Sequence, residues 1–295
     1  RLGVVSPDPA AILPLIGAKE FIAWLPTLLG LGPGQRIGTP ALAYPTYAVG
    51  ARLAGADAVV VQSTVELGPG RLALLWVNSP SNPTGRVLPP AHLRKLVDWC
   101  RERGTILVSD ECYLEFGWDA DQPPVSVLHP EVCGGSAEGL LAVHSLSKRS
   151  NLAGYRAGFV AGDPALIKGL LEVRKHAGMI VPAPVQAAMI AALGDDAHVD
   201  AQRRRYRRRR ELLAQALTAA GFVIDDSQGG LYLWATRGEE CWETVARLAD
   251  AGILVAPGVF YGPSGARHVR VALTATDERV EAAVRRLQSE TFDER

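Results

Sequence analysis

The feature that most constrains this chain is a succession of short, unbroken apolar runs ending at turn or polar residues. They are RIGTPAL (36–42), DAVVVQS (57–63), LALLWVNSP (72–80), TILVSDECY (105–113) and GLLAVHSLS (139–147). Continuous rather than alternating apolar character suits strands covered on both faces. Helical patterns lie among them, such as PPAHLRKLVDWCRERG (89–104), and GAKEFIAWLPTLLGLG (17–32) reads as a helix opened by Gly17 and closed near Gly30–Gly34. Strands interspersed with helices imply βαβ units. The expected fold is therefore α/β, with a mostly parallel sheet sandwiched by helices. In such sheets, ligands sit beyond the carboxyl ends of strands. Asn82, Asp110 and Ser145 are expected just past such ends.

From about residue 184 the texture changes. A long helical stretch is followed by strand-like GFVIDDSQGGLYLWA, GILVAPG and HVRVALT, with CWETVARLADA and DERVEAAVRRLQSE as helices. This predicts a second, smaller α+β domain at 199–295 beside a large domain at 1–198. The run RRRYRRRRE (203–211) could suggest nucleic acid. Lys+Arg and Asp+Glu balance at 31 each, however, and the run lies in a helix, so a solvated helix face is expected instead. No nucleic-acid or membrane partner is predicted. No apolar run reaches a membrane span. Cys100, Cys112, Cys133 and Cys241 form no CxxC pair, so neither a disulfide framework nor a metal site is expected, and a reducing, cytoplasmic setting is the default. GLGPGQ (30–35) lacks dinucleotide-loop spacing and reads as a turn. His144 has no matching metal partners and reads as a packing residue.

Lys148 is one of five lysines among 31 basic residues, set among small and hydroxyl-bearing neighbours in SLSKRSNLAGYRAGF (145–159). A crowded lysine costs desolvation energy unless it has a partner or a chemical task. With NPTG (82–85), DECY (110–113) and the spacing of Ser145, Lys148 and Arg156, this block resembles the pyridoxal-phosphate-dependent aminotransferases of fold type I, class I/II. GGLYLW (229–234), VAPG (255–258) and VRVAL (269–273) resemble that family's small domain. The wording around Lys148, with ILPLIGAKE and VAPGVFYGP, is most similar to bacterial N-succinyldiaminopimelate aminotransferases.

The resemblance implies a seven-stranded type of large-domain sheet, pyridoxal 5'-phosphate as cofactor, and roles for named residues. Lys148 resembles the lysine that bonds covalently to the cofactor and then moves protons as base and acid. Asp110 resembles the carboxylate paired with the pyridine nitrogen, while Asn82 and Tyr113 resemble donors to the ring's phenolic oxygen. Tyr44 resembles the ring stacked on the pyridine. Ala18 and Lys19 at a helix start, with Ser145, Ser147 and Arg156, would hold the phosphate. Arg270 resembles the grip on the substrate carboxylate, with Asn82 and Trp234 beside the substrate, and Gly229 and Gly230 shaping the wall.

The implied reaction is ping-pong transfer of an amino group between an amino acid and a 2-oxo acid. The expected substrate pair is N-succinyl-LL-2,6-diaminopimelate with 2-oxoglutarate/glutamate, in lysine biosynthesis. Another amino-acid aminotransferase of acidic or broad range, a carbon–sulfur lyase, and a non-catalytic regulatory module of the same fold are the alternatives. The resemblance also implies a homodimer with shared active sites. The chain opens on RLGVVSPDP without an initiator Met, and a preceding segment carrying a cross-subunit tyrosine is expected.

Overall fold

The computed structural model describes residues 3–4, 8–62 and 70–289. Seven strands form one sheet: β1 (Ile12–Ile16), β2 (Arg36–Thr39), β3 (Asp57–Val60), β4 (Leu74–Asn78), β5 (Ile106–Asp110), β6 (Leu140–Ser145) and β7 (Ala157–Gly162). Their order is β1-β7-β6-β5-β4-β2-β3. The run from β6 through β5, β4 and β2 to β3 is parallel, whereas β7 is antiparallel to both β6 and β1.

The helices are α1 (Ala18–Leu28), α2 (Thr46–Ala54), α3 (Pro90–Arg103), α4 (Pro130–Cys133), α5 (Leu146–Arg149), α6 (Pro164–His176), α7 (Ala183–Leu193), α8 (Ala197–Ala219), α9 (Cys241–Asp250) and α10 (Asp277–Leu287). The two faces of the sheet are read directly from strand periodicity. Leu74 and Trp76 of β4 join Phe21, Ile22 and Leu25 of α1, Tyr47 of α2 and Leu170 of α6 in one core. Leu75 and Val77 point the other way, to Leu93 and Val97 of α3 and Val132 of α4. Both faces are thus covered, and every residue of β4 and β6 is buried. The run at 57–63 departs from this pattern. Its strand β3 is the sheet edge and is largely exposed, because among the described residues no further strand pairs with it.

A second sheet, antiparallel throughout, has the order β10-β11-β9-β8, from β8 (Val223–Asp225), β9 (Tyr232–Thr236), β10 (Ala256–Pro257) and β11 (Val269–Ala272). The run GILVAPG therefore yields a two-residue strand rather than a full one; the next four residues turn into a 3-10 helix at Gly258–Tyr261. Leu213 and Leu217 of α8, Leu248 of α9 and Val280 of α10 pack on this sheet, and Tyr113 and Phe116 from the loop after β5 share the same core. Position 198/199 falls in the first turn of α8.

The basic run lies inside α8, but it is less a solvated face than expected. Tyr206 is buried, Arg209 bonds Asp277 at 2.6 Å, and Arg203 and Arg210 donate to the carbonyls of Gly117 and Ser227. Half of the run is thus used to fasten loops and α10 to α8. Among the described residues, no helix is long and apolar enough to cross a membrane.

Candidate active site

Strands β4, β5 and β6 end side by side, with Asn78 opposite Asp110 and Asp110 opposite Val143. Asn78 organises these ends. Its amide donates to the carbonyls of Asp110 (2.8 Å) and Pro80 (3.1 Å), and its Oδ1 accepts from the Asn82 N–H at 2.7 Å. One buried side chain thereby folds the 79–85 loop back over the sheet and sets Asn82 above Asp110's strand. Asn78 was not among the sequence candidates, since in WVNSP it reads merely as the last strand residue.

Asp110 is buried, and both of its oxygens accept hydrogen bonds. Tyr47 Oη donates to Oδ2 at 2.7 Å and the Cys112 N–H to Oδ1 at 3.1 Å. Tyr47, also missed from sequence, is fully buried and stacked on Trp76 at 4.9 Å. Burial and the neighbouring carboxylate push its phenol well above the ordinary value, so it stays protonated and acts as a donor.

Ser145 closes β6 and is the N-cap of α5, a single turn that carries Lys148 into the cleft. Lys148 Nζ lies 5.6 Å from the Tyr113 ring centroid. Burial lowers the pKa of its amine, and the positive charges of Arg270 and Lys19 add to this, against Cys112 and Asp110. The thiol of Cys112 is itself held well above its ordinary value by burial, so it carries no charge at neutral pH to oppose the trend. The result favours the unprotonated, nucleophilic amine. The Tyr113 phenol is also pushed up by burial and remains a donor.

The cleft has a volume of about 330 Å³. Ala18, Lys19, Tyr44, Asn82, Asp110, Tyr113, Ser145, Ser147, Lys148, Arg156 and Arg270 all line it, which brings together residues from both ends of the sequence. Lys19, Arg156 and Arg270 face one carboxylate beside Lys148, a balance that draws anions. Lys19 Nζ sits 5.8 Å from the Tyr44 ring centroid. Arg156 has φ +52° and is braced by its own Nη1 to the Ala153 carbonyl at 2.9 Å. Its guanidinium rests on Gly17, the N-cap of α1, where φ is +75° and a Cβ would lie 2.4 Å from Nη2. A glycine is required there for conformation and for space. This contact puts the guanidinium beside the free N–H groups of a helix start, a natural oxyanion cradle.

Arg270 projects from β11 between the apolar Val269 and Val271, as its alternation predicts. Its Nη1 donates to Asn82 Oδ1 at 2.8 Å, and its guanidinium carbon lies 5.1 Å from the ring centroids of both Tyr232 and Tyr261. Among the described residues its Nε is buried without a hydrogen-bond partner. Trp234 is expected beside the substrate; the structure places it next to Arg270 but not in the cleft lining. It pairs in register with Arg270, yet it is 2% exposed, stacked on His268 at 4.8 Å and edge-on to Tyr261, outside the cleft lining. Its bulk is used as core beneath the site. Gly229 and Gly230 likewise lie outside the lining; they serve the joint between the sheets. The Gly229 and Ser227 N–H groups donate to the carbonyls of Gly85 and Thr84, and Tyr232 Oη donates to that of Ser81.

These donors suit a phosphorylated pyridine aldehyde. The anion cradle at Gly17–Lys19 and Arg156, the buried carboxyl of Asp110, the protonated phenols and a lysine amine whose pKa burial lowers match its phosphate, ring nitrogen, ring oxygen and aldehyde. The seven-stranded sheet with this cleft at its strand ends defines a pyridoxal-phosphate enzyme of fold type I. Residues 2–287 match the family model for aminotransferase class I and II, and the chain belongs to that pyridoxal-phosphate-dependent family. It is 66% identical over 287 residues to a probable aminotransferase of Mycobacterium tuberculosis, covering 97% of this chain and 68% of that one. It is 63% identical over 287 residues to the 4-dedimethylamino-4-oxo-anhydrotetracycline transaminase OxyQ of Streptomyces rimosus, covering 97% and 79%. Among solved structures, the probable N-succinyldiaminopimelate aminotransferase of Thermus thermophilus superposes with TM-score 0.85 at 29% identity, covering 96% and 79%.

Proposed function

We propose that this aminotransferase works through Lys148, with Asp110 and Arg270 fixing the cofactor and the substrate on either side of it. The observation that carries this reading is the convergence of a depressed lysine amine, a doubly hydrogen-bonded buried aspartate and a guanidinium with a free buried donor in one cleft. Pyridoxal phosphate, when bound, supplies an aldehyde carbon and an electron-withdrawing ring. The chain's own side chains do the rest. Arg156, Ser145, Ser147 and the N–H groups of Ala18 and Lys19 bind the phosphate. Asp110 keeps a proton on the ring nitrogen, and Tyr47 orients that carboxylate. Asn82 and Tyr113 would donate to the ring oxygen, and Tyr44 would cover the ring. Arg270 grips the α-carboxylate, aligning the α-carbon so that Lys148 Nζ can remove its proton and later return one.

For the substrate, the reading is N-succinyl-LL-2,6-diaminopimelate with 2-oxoglutarate/glutamate. It is supported by the wording around Lys148 and by the fold likeness to the Thermus enzyme of that name. A second reading is a bulky polycyclic ketone, favoured by 63% identity to a transaminase whose name specifies such a substrate. Substrate choice rests on a few pocket contacts, so identity alone does not decide between them. A homodimer belongs to the same proposal.

The test is an exchange assay on the cofactor-loaded protein, with glutamate as donor and, as acceptors, the 2-oxo acid that corresponds to N-succinyl-LL-2,6-diaminopimelate and a polycyclic ketone. Expected is parallel-line, ping-pong kinetics with one acceptor preferred by about tenfold or more. Release of pyruvate, ammonia and a thiol from a cysteine thioether, without any acceptor, would instead indicate a lyase. A Lys148→Ala variant that retains turnover would end the mechanistic reading.

A further inference from the structure

Lys148 is delivered to the cleft by α5, a single helical turn of four residues. One turn is not stable alone, because fixing its backbone dihedrals costs more than its few hydrogen bonds return. Its place must therefore be set by contacts made outside it. The three residues after Lys148 supply them. Arg149 Nε donates to Glu115 Oε1 at 2.7 Å, Nη1 to the Ala192 carbonyl at 2.7 Å and Nη2 to Asp196 Oδ1 at 2.5 Å. Ser150 Oγ lies 2.9 Å from His198 Nε2, and Asn151, held at φ +54°, accepts from Tyr206 Oη at 3.0 Å.

Arg149 makes the most of these contacts. Its side chain is 11% exposed, and each of its three nitrogens has a protein acceptor. The acceptors belong to three separate segments. Glu115 is two residues beyond Tyr113, Ala192 is in the last turn of α7, and Asp196 is the N-cap of α8. One planar fork thus ties the turn under Lys148 to the loop that carries Tyr113 and to the helix that packs on the second sheet. Arg149 does not line the cofactor cleft. The groups that act on the Lys148 amine are Cys112, Arg270, Asp110 and Lys19, whereas the charge of Arg149 is balanced by Glu115 and Asp196.

We propose that Arg149 is a positioning residue for Lys148: it fixes the turn that holds Nζ 5.6 Å from the Tyr113 ring centroid, and it does so without touching cofactor or substrate. The inference rests on the reading above that Lys148 moves the substrate proton. Losing the fork releases the turn from two helices and a loop at once, and the amine swings out of line with the α-carbon. A reacting group misplaced by about 1 Å can cost about 100-fold in rate.

Arg149→Gln in the cofactor-loaded protein tests this, since glutamine cannot span three acceptors. Hydrogen exchange should be at least about tenfold faster in the peptide covering 146–152, where the Ser150 and Leu152 N–H groups bond the Leu146 carbonyl, and unchanged in β4. The kcat should fall at least about tenfold, with KM for the amino donor within about threefold of native, because Arg270 is untouched. Burial and the cations Arg270 and Lys19 hold the amine's pKa down, so an amine displaced toward water regains a higher one and the acid limb of kcat moves to higher pH. Asp196→Ala removes one acceptor from a half-exposed position and should move all three readouts the same way by less; it carries the test if Arg149→Gln does not fold. Lys148→Ala, run alongside, separates this inference from the reading beneath it. Turnover lost in Lys148→Ala, with kcat or the 146–152 exchange unchanged in the folded Arg149→Gln protein, would overturn the positioning role alone. Turnover retained in Lys148→Ala would overturn both. Exchange in β4 that quickens as much as in 146–152 would show a general loss of stability and would also overturn the positioning role.

Discussion

Tyr47 donates its hydroxyl to Asp110 Oδ2 at 2.7 Å from within the core, so the acid at the bottom of the cleft is oriented by a residue that never touches the cleft. The bond ties α2 to the end of β5. Tyr47→Phe removes the donor but keeps the ring stacked on Trp76. A buried carboxylate losing one partner costs about 1–3 kcal/mol. The expected outcome is a tenfold or greater fall in kcat with little change in KM for the amino donor. An equal loss in stability without a kinetic change would show a purely structural role.

Arg270 is held by Asn82 and two tyrosine rings, leaving its remaining donors for a ligand. Lysine has the charge but not the planar fork. Arg270→Lys should raise KM for both amino acid and 2-oxo acid by about 10- to 100-fold, corresponding to loss of a charge-assisted pair. An amine donor lacking a carboxylate should be affected far less, and comparison of the two donors checks the assignment.

Gly17 presses against the Arg156 guanidinium in a left-handed conformation. Gly17→Ala would introduce a Cβ at 2.4 Å from Nη2 and strain the start of α1. Cofactor affinity, measured by equilibrium dialysis, should fall at least about tenfold, with kcat largely retained at saturating cofactor. Undiminished affinity would place the phosphate elsewhere.

Glu111 and His144 make opposed contributions to acid stability. Burial raises Glu111 from 4.5 to about 7, so the folded protein holds an extra proton in that window and gains stability as pH falls through it. The Val127 N–H and the hydroxyls of Ser126 and Ser109, which favour the charged form, limit the rise. Burial lowers His144 from 6.5 to about 4, so the folded protein resists protonation and loses stability as pH falls. The slopes offset each other between about pH 4.5 and 6.5. Glu111→Gln removes one of them, and its stability should drop by up to about 3 kcal/mol relative to the native protein between about pH 7 and 4.5. Denaturant midpoints across that range measure it; parallel profiles for the two proteins would contradict the pairing.

The sequence by itself determined the layered fold and most of the chemistry. The β4, β5 and β6 runs are continuous because both faces are buried, and the polar residues that end them had to meet at one edge of a parallel sheet. Lys148, Asp110, Tyr113, Asn82 and Arg156 were named through the resemblance of their motifs to the family, and the fold brings all five to the lining of one cleft. Other features were settled only by tertiary structure. Tyr47 and Asn78 carry no local signal, since a buried tyrosine and a strand-end asparagine look alike wherever they occur; their roles exist because α2 and β4 happen to deliver them to Asp110. Trp234 and Arg270 are register neighbours, yet packing sent one into the core and left the other in the cleft. The exposure of β3 was decided by its place at the edge of the sheet. Periodicity reports which face of an element is buried, but which partner lies across that face is a long-range property that no short stretch contains.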